Sequence, residues 1–204
     1  FSLMRRWAYW LLLLSLMAAP GSGQQSINTR KPAEKVPFTV YREPERDRHF
    51  APSGNIGDAD DIKVMESHAE NAMEGKYCIR IEYSGQESRN EHWAGVYWQE
   101  PDFNFGNIPD VGFNLKGARK ITFWARGEKG GERIDVKAGG IKGMYPDSFD
   151  IPLKTIDLTK VWKKFTIPVT DKDLSYVIGG FYVSFQKKNN PSGATIYLDE
   201  ILYE

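Results

Sequence analysis

The sequence is poor in cysteine and histidine, with one cysteine and three histidines in 204 residues. A single cysteine excludes an internal disulfide framework, and Cys78 lies in a strand-like segment where a structural thiol is expected. The scarcity also excludes the Cys and His spacings of zinc sites. Stability must therefore come from a large apolar core or from a bound ion.

The chain also lacks a net charge, because 27 basic residues balance 27 acidic residues. Removal of residues 1–23 would take away Arg5 and Arg6 and no acidic residue, which would bring the net charge to −2. A nearly neutral domain has no electric field that would attract nucleic acid or an anionic membrane. We therefore expect no nucleic-acid partner.

The N-terminal apolar run is too short for a membrane-spanning helix, which needs about 20 residues. Residues 7–19 are apolar, follow two arginines and precede several small residues. This layout predicts a secretory signal peptide over residues 1–23 and an exported protein, periplasmic, extracellular or at the cell surface. An uncleaved N-terminal anchor is the alternative. Residues 24–36 are polar and predict a mobile linker, and residues 37–204 form the predicted domain.

Motifs of common catalytic sites are absent from the sequence. There is no G-x-S-x-G, no H-E-x-x-H and no phosphate-binding loop. Glycoside hydrolysis needs two carboxylates whose spacing is set only in three dimensions, and Glu100, Glu128 and Asp135 are the candidates for such a pair. We predict that the chain is not an enzyme, with a glycan-active enzyme as the alternative.

Apolar and polar residues alternate with period two through most of the predicted domain, which is typical of half-buried strands. Glycine, proline, asparagine and aspartate separate these segments. Short strands divided by turn residues predict an all-β antiparallel β-sandwich. The alternating segments are residues 79–84, 121–126, 133–138, 164–167, 181–186 and 196–201.

Residues 61–75 fit two patterns. Apolar residues there recur at helical spacing, and Gly75 is a suitable helix end. The start of the segment also fits a strand. We predict a short strand at residues 62–65 followed by a loop or a single helical turn.

Large aromatic rings occur on the polar side of several predicted strands. Sugars bind to such a mixture, because their flat C–H faces pack on aromatic rings and their hydroxyls pair with charged or planar groups. The alternatives are a face covered only by water and, for the aromatic segment at residues 92–99, packing in the core. The candidate ligand-binding residues are Trp93, Tyr97, Gln99, Trp124, Arg126, Asp135, Lys137 and Tyr182.

Asp58, Asp60 and Asp61 form an acidic turn. Three carboxylates within four residues repel one another unless water or a cation separates them, and calcium prefers such oxygen ligands. The EF-hand pattern is absent, since its glycine and distal glutamate are missing. A calcium site and a simply solvated turn both remain open at this point.

Three segments carry features of a known family. Residues 115–127 (LKGARKITFWARG) resemble a central strand, residues 162–168 (WKKFTIP) a later strand, and residues 178–181 with 194–201 (IGGF and ATIYLDEI) the closing strands of the galactose-binding-like β-jelly-roll superfamily, in its carbohydrate-binding-module type. The resemblance covers about residues 75–204. The resemblance identifies the fold well but the ligand poorly, because the superfamily also includes non-sugar binders and structural domains.

The resemblance also implies a structural calcium ion. Many members hold calcium between an early acidic loop and an aspartate of the closing strand, and Asp199 matches that aspartate. The three aspartates of the acidic turn are then the early ligands. A tryptophan at the position of Trp124 is a fold feature in many members, so packing and ligand binding both remain open for this residue.

Three functions follow from these features. The first is an exported, non-catalytic carbohydrate-binding β-sandwich whose partner is a polysaccharide or glycan. The second is a structural or adhesion domain of a cell-envelope or extracellular assembly, which self-associates through its aromatic surface. The third is a small glycan-active enzyme.

Overall fold

The computed structural model describes residues 31–43 and 48–204. These residues form eleven strands and one short 3-10 helix at Ala59–Asp61. The strands are β1 (Phe38–Tyr41), β2 (Ala51–Gly57), β3 (Ile62–His68), β4 (Cys78–Tyr83), β5 (Trp93–Gln99), β6 (Lys120–Gly127), β7 (Arg133–Lys137), β8 (Lys154–Asp157), β9 (Lys163–Pro168), β10 (Gly179–Gln186) and β11 (Ala194–Tyr203).

The strands form two antiparallel sheets. The first sheet has the order β3-β4-β11-β6-β9, and β1 pairs with the last residues of β11. The second sheet has the order β2-β5-β10-β7-β8. Non-consecutive strands are neighbours in both sheets, as in a jelly roll, and the predicted all-β antiparallel sandwich is confirmed.

The core lies between the sheets and is built by one residue in two of each strand. Ala94, Val96 and Trp98 point inward from β5, as do Phe181, Val183 and Phe185 from β10. Phe181 joins the two layers, because its ring packs edge-on against Trp98 of its own sheet and against Phe123 of the first sheet. Most of the period-two segments found in the sequence are therefore strands with a buried aliphatic and aromatic side.

The ambiguous segment at residues 61–75 is a strand followed by a loop. Strand β3 spans Ile62–His68, longer than predicted, and pairs with β4 from Ile62↔Tyr83 onward. No α-helix occurs in residues 31–43 and 48–204. Pairing with β4 satisfies the backbone of this segment, and this contact between distant residues overrides the helical spacing of its apolar residues.

The predicted signal peptide and most of the predicted linker lie outside the described residues. The described end of the linker contacts the sandwich: Lys31 Nζ donates to Asp110 O (2.7 Å), and Glu34 N donates to Asn114 O (2.8 Å). The side chain of Asn114 returns a hydrogen bond to Lys31 O (2.7 Å). Residues 31–34 are therefore attached to the domain, whereas the polar composition predicted a mobile segment. No helix among the described residues has the length and hydropathy needed to cross a membrane.

Candidate functional site

The outer face of the second sheet brings together six of the eight predicted ligand-binding residues. They lie on three adjacent strands, with Tyr97 beside Tyr182 and Tyr182 beside Lys137 in the strand register. The six residues are Trp93, Tyr97 and Gln99 on β5, Tyr182 on β10, and Asp135 and Lys137 on β7. The sheet therefore assembles most of the predicted set on one surface.

Trp124 and Arg126 do not belong to this surface. Both lie on β6 in the first sheet, on the opposite side of the sandwich. The Arg126 guanidinium packs over the rings of Tyr197 (3.8 Å to the ring centroid) and Trp162 (5.3 Å), which is a cation–π arrangement. The sequence prediction of one shared ligand face is wrong for these two residues, because alternation shows which side of a strand is polar but not which sheet the strand joins.

Tyr97 and Tyr182 pack together and are almost completely buried, with exposed fractions of 7% and 5%. Their ring centroids are 4.5 Å apart, and Ile141, Tyr176 and Ile178 cover them in a small second hydrophobic cluster. The Tyr182 ring lies over Gly95, where a side chain would collide with it. Burial raises the pKa of the Tyr182 hydroxyl to about 12. This pair fills the middle of the face and leaves little ring surface for a ligand.

Gln99 has a structural environment. Its side chain is fully buried, accepts a hydrogen bond from Ser53 Oγ (3.0 Å) and donates one to Asn104 O (2.9 Å). Asn104 in turn accepts from the backbone of Gly106 and donates to Glu100 O. This network fixes the loop at residues 100–107, so Gln99 supports the rim of the face from beneath.

Charged groups flank the tyrosine pair. Lys137 Nζ contacts Asp150 Oδ1 (2.6 Å), and Thr155 Oγ1 donates to Asp135 Oδ1 (2.5 Å). Arg133, on the same side of β7, pairs with Asp157 (2.5 Å), and the side chains of both are about half exposed or more. Positively charged hydrogen-bond donors and negatively charged acceptors therefore lie beside the aromatic residues.

Trp93 is a partly exposed aromatic ring at one end of the face. Its indole is half-buried and lies against Gly57, where an added Cβ atom would be 3.0 Å from the ring and 2.5 Å from Trp93 O. Gly57 has a φ of 70°, which glycine adopts without strain. Gln186 of β10 is the register partner of Trp93. One side of the indole thus packs on the sheet, beside a hydrogen-bonding amide.

The loop at residues 101–107, which the sequence predicts as a rim of the site, carries exposed apolar side chains. Phe103, Phe105 and Met144 are exposed on two loops that touch where Gly106 meets Gly143. Phe103 N donates to Ser53 Oγ (2.9 Å), so its backbone is fixed although its side chain is 69% exposed. Met144, on the second loop, has no sequence signal that predicts its place in this rim.

The acidic turn holds a neighbouring loop. Asp58 is buried, and its carboxylate accepts from the backbone of Arg89 (2.7 Å) and Glu91 (3.1 Å). Asp61 accepts from Glu87 N (2.7 Å), and Asp60 forms an exposed ion pair with Arg89. Backbone N–H groups thus stabilise much of the negative charge for which the sequence predicted water or a cation as the partner. Burial by itself would raise the pKa of Asp58, but these hydrogen bonds outweigh it and lower the pKa.

Asp199 lies apart from the acidic turn. The start of β11 is beside Ile62 and Tyr83, and Asp199 is five residues further along, roughly 17 Å at the usual strand rise. Its carboxylate accepts three backbone hydrogen bonds, from Met73, Glu74 and Glu200, and burial raises its pKa to about 6. The structure does not bring the four predicted calcium ligands together, and the described residues contain no group of three or more acidic, His or Cys side chains suited to a metal ion.

The candidate hydrolytic carboxylates lie in three separate places. Glu100 follows the end of β5, Asp135 lies on the outer face of the second sheet, and Glu128 follows β6 in the first sheet. Glu128 accepts a hydrogen bond from the Tyr197 hydroxyl (2.6 Å). These residues form no carboxylate pair across a cleft.

The loop that covers the tyrosine pair is attached through Asp147. Its carboxylate accepts from the backbone of Ile178 (2.7 Å), Gly179 (3.0 Å) and Ile141 (2.9 Å). Burial raises the pKa of Asp147 to about 7, although these three donors and Lys137 favour the charged form. The folded state therefore binds a proton more tightly than the unfolded state does.

We expect Asp147 to make the protein less stable as pH rises from about 4 to about 7. In this window the folded state holds more protons than the unfolded state, so the free energy of unfolding falls by up to about 3–4 kcal/mol. In Asp147→Asn this contribution is absent, and its pH profile should be flatter than that of the wild type. Urea unfolding at several pH values measures both profiles, and parallel profiles would contradict the expectation.

Known structures match this architecture. A family 30 carbohydrate-binding module superposes with a TM-score of 0.54 and 11% identity over 83% of this chain and 87% of that chain. The family 30 module of a cellulosomal cellulase from Clostridium thermocellum superposes with a TM-score of 0.54 and 13% identity over 82% of this chain and 96% of that chain. This chain has the β-jelly-roll fold of carbohydrate-binding modules.

The fold resemblance found in the sequence is therefore confirmed. No family model matches the chain, and no curated protein matches it. Both structural neighbours are described as carbohydrate-binding modules. Similarity at 11–13% identity establishes the fold and leaves the ligand to be argued from the site.

Proposed function

We propose that this protein is an exported, non-catalytic glycan-binding module whose ligand packs on Trp93 at the outer face of the second sheet. The observation that carries the proposal is the half-buried indole lying against Gly57. A pyranose ring presents a flat C–H face to such a platform, and Gln186, Arg133 and Asp157 supply polar partners for its hydroxyls. The fold shared with carbohydrate-binding modules supports the same reading.

Trp93→Ala should weaken glycan binding by at least about tenfold, which is 1.4 kcal/mol. The variant removes the platform and leaves the buried tyrosine pair in place. Screening on arrays of plant, algal and bacterial glycans identifies the ligand, and titration of that ligand measures the loss. A silent array would count heavily against the proposal.

Trp124→Ala is the matched control. It removes the same side chain, also half-buried, from the opposite sheet. We expect its affinity to stay within about twofold of the wild type, well below the 1.4 kcal/mol of a tenfold change. Equal losses in both variants would show that the effect comes from general destabilisation, and thermal unfolding of both proteins checks this directly.

Self-association is the second candidate function. Three large apolar side chains, Phe103, Phe105 and Met144, are exposed on one rim, which is more than isolated surface residues require. Size-exclusion chromatography at several concentrations tests it. An elution volume independent of concentration would exclude association through this rim.

Calcium binding stays a prediction from the family resemblance. The four aspartates named in the sequence form no common site, so their placement gives it no support. A calcium ion bound only by the folded state would raise Tm. Thermal unfolding with added calcium and with a chelator measures the difference, and identical Tm values would remove the prediction.

A further inference from the structure

A cleft of about 570 Å³ opens at one end of the sandwich, and Trp93 is not among the residues that line it. One side of it is a row of register neighbours across the first sheet: Lys63 on β3, Glu82 on β4 and Thr195 on β11. The loops at residues 128–132 and 189–193 form its other walls. Its volume is in the range of small-molecule sites.

The walls of the cleft are fixed by buried polar side chains. Asn190 accepts from Arg133 N (3.2 Å) and donates to Arg133 O (2.8 Å), which ties the loop at residues 189–193 to β7. Glu132 is 8% exposed, and its Oε1 accepts from Lys129 N (2.6 Å). Its other oxygen, Oε2, has no hydrogen-bond partner among the described residues. The site is therefore formed before any ligand binds.

Negative charge predominates in the cleft. Asp60, Asp61, Glu82, Glu128 and Glu132 line it, against Lys63 and Lys129. Two of the five carboxylates have arginine partners outside the lining, Asp60 with Arg89 and Glu82 with Arg80. After these pairs are set aside, Asp61, Glu128 and Glu132 remain against the two lysines, an excess of one negative charge.

Further carboxylates lie near the lining residue Tyr83. Its ring stacks on Phe185 in the core, and its buried hydroxyl has no hydrogen-bond partner among the described residues. Its pKa is raised by burial and then by the nearby carboxylates of Asp61, Asp58 and Glu87. These carboxylates add to the acidic residues of the walls, which favours a cationic ligand.

Recognition here differs from that at Trp93. Among the described residues that line the cleft, Tyr83 is the one aromatic residue and is 2% exposed, so none of them offers an open ring for sugar stacking. Carboxylates attract and accept from an ammonium group, while Lys63 and Lys129 donate to hydroxyl oxygens. We propose that this cleft is a second binding site for a small polyhydroxylated ligand that carries a primary ammonium group, as a non-acetylated amino sugar does.

Three probes test the chemistry of the ligand by titration calorimetry on the full chain. Glucosamine oligomers carry both the ammonium and the hydroxyls, N-acetylglucosamine oligomers keep the shape without the charge, and spermidine has the charge without the hydroxyls. We expect binding of glucosamine oligomers that weakens with added salt, and little binding of the acetylated oligomers. Equal binding of both oligomers, or stronger binding of spermidine, would overturn the proposal.

Charge-neutral variants locate the site. Glu128→Gln and Glu132→Gln keep the shape and one acceptor oxygen of each side chain, and combined they should weaken glucosamine-oligomer binding about tenfold. Asp171→Asn makes the same kind of charge change on an exposed residue near the opposite end of β6 and should have no effect. A loss of affinity in Asp171→Asn as large as that of the double variant would overturn the location.

Trp93→Ala separates this site from the proposed function. The Trp93 side chain does not line the cleft, so this variant should bind glucosamine oligomers with wild-type affinity even though it loses the array ligand. Loss of glucosamine-oligomer binding in Trp93→Ala would place both ligands on the outer face of the second sheet and would refute a second site. If no glycan on the array binds, the proposed function at Trp93 fails, but the calorimetric test of the cleft is unaffected.

Discussion

Phe181→Ala is expected to lower the free energy of unfolding by about 3–5 kcal/mol, as removal of large buried aromatic side chains does. Phe181 is fully buried, and its ring packs against both Trp98 and Phe123. The truncation therefore opens a cavity at the contact between the two sheets. Chemical denaturation measures the change, and a loss below about 1 kcal/mol would contradict this view of the core.

Phe103→Ala is the matched control for this substitution. It removes the same atoms from a side chain that is 69% exposed on the rim. Surface changes of this kind usually stay within about 0.5 kcal/mol. The difference between the two variants isolates the contribution of burial, because their chemistry is identical.

Gly57→Ala should abolish most glycan binding and destabilise the protein by about 1–3 kcal/mol. Its new Cβ atom would lie 2.5 Å from Trp93 O, a backbone atom that has little freedom to move, and 3.0 Å from the indole. The φ of 70° adds strain for any residue with a side chain. Displacement of Trp93 predicts a loss of affinity as large as that of Trp93→Ala, measured on the same ligand.

Gly117→Ala is the control that separates backbone strain at a positive φ from the collision of a new Cβ atom with Trp93. Gly117 has a φ of 112°, so alanine is strained there too, but an added Cβ atom meets nothing within 4 Å. We expect a loss of stability with unchanged glycan affinity. If Gly117→Ala also reduced binding, the argument that Gly57 acts by supporting Trp93 would fail.

The strands are the part of this protein that local sequence predicts best. Alternation at residues 79–84, 121–126 and 181–186 corresponds to β4, β6 and β10, because side chains on a strand point to opposite faces with period two. The turn residues between these segments indicate short connections and so predict an antiparallel sandwich. Strand β3 is harder to predict, because its apolar residues have helical spacing. Only its pairing with β4 makes this segment a strand.

The candidate site depends on contacts between residues far apart in the chain. Tyr97 and Tyr182 have the sequence pattern of exposed rings, yet the loop fixed by Asp147 covers them. Trp93 has the same pattern, packs with one side against Gly57 and stays partly exposed. Burial of a side chain depends on what the rest of the chain places above it, which no local pattern records.

The sequence by itself determined that this chain is an all-β sandwich, because alternation and turn chemistry are local properties of the backbone. Only the tertiary structure decided which sheet each strand joins. That decision separates Trp124 and Arg126 from Trp93, and Asp199 from the acidic turn. It also creates the acidic cleft from the ends of β3, β4 and β11 and two loops. The physical reason is that strand order is set by how hydrophobic faces pair across the core, a choice made by the whole chain together.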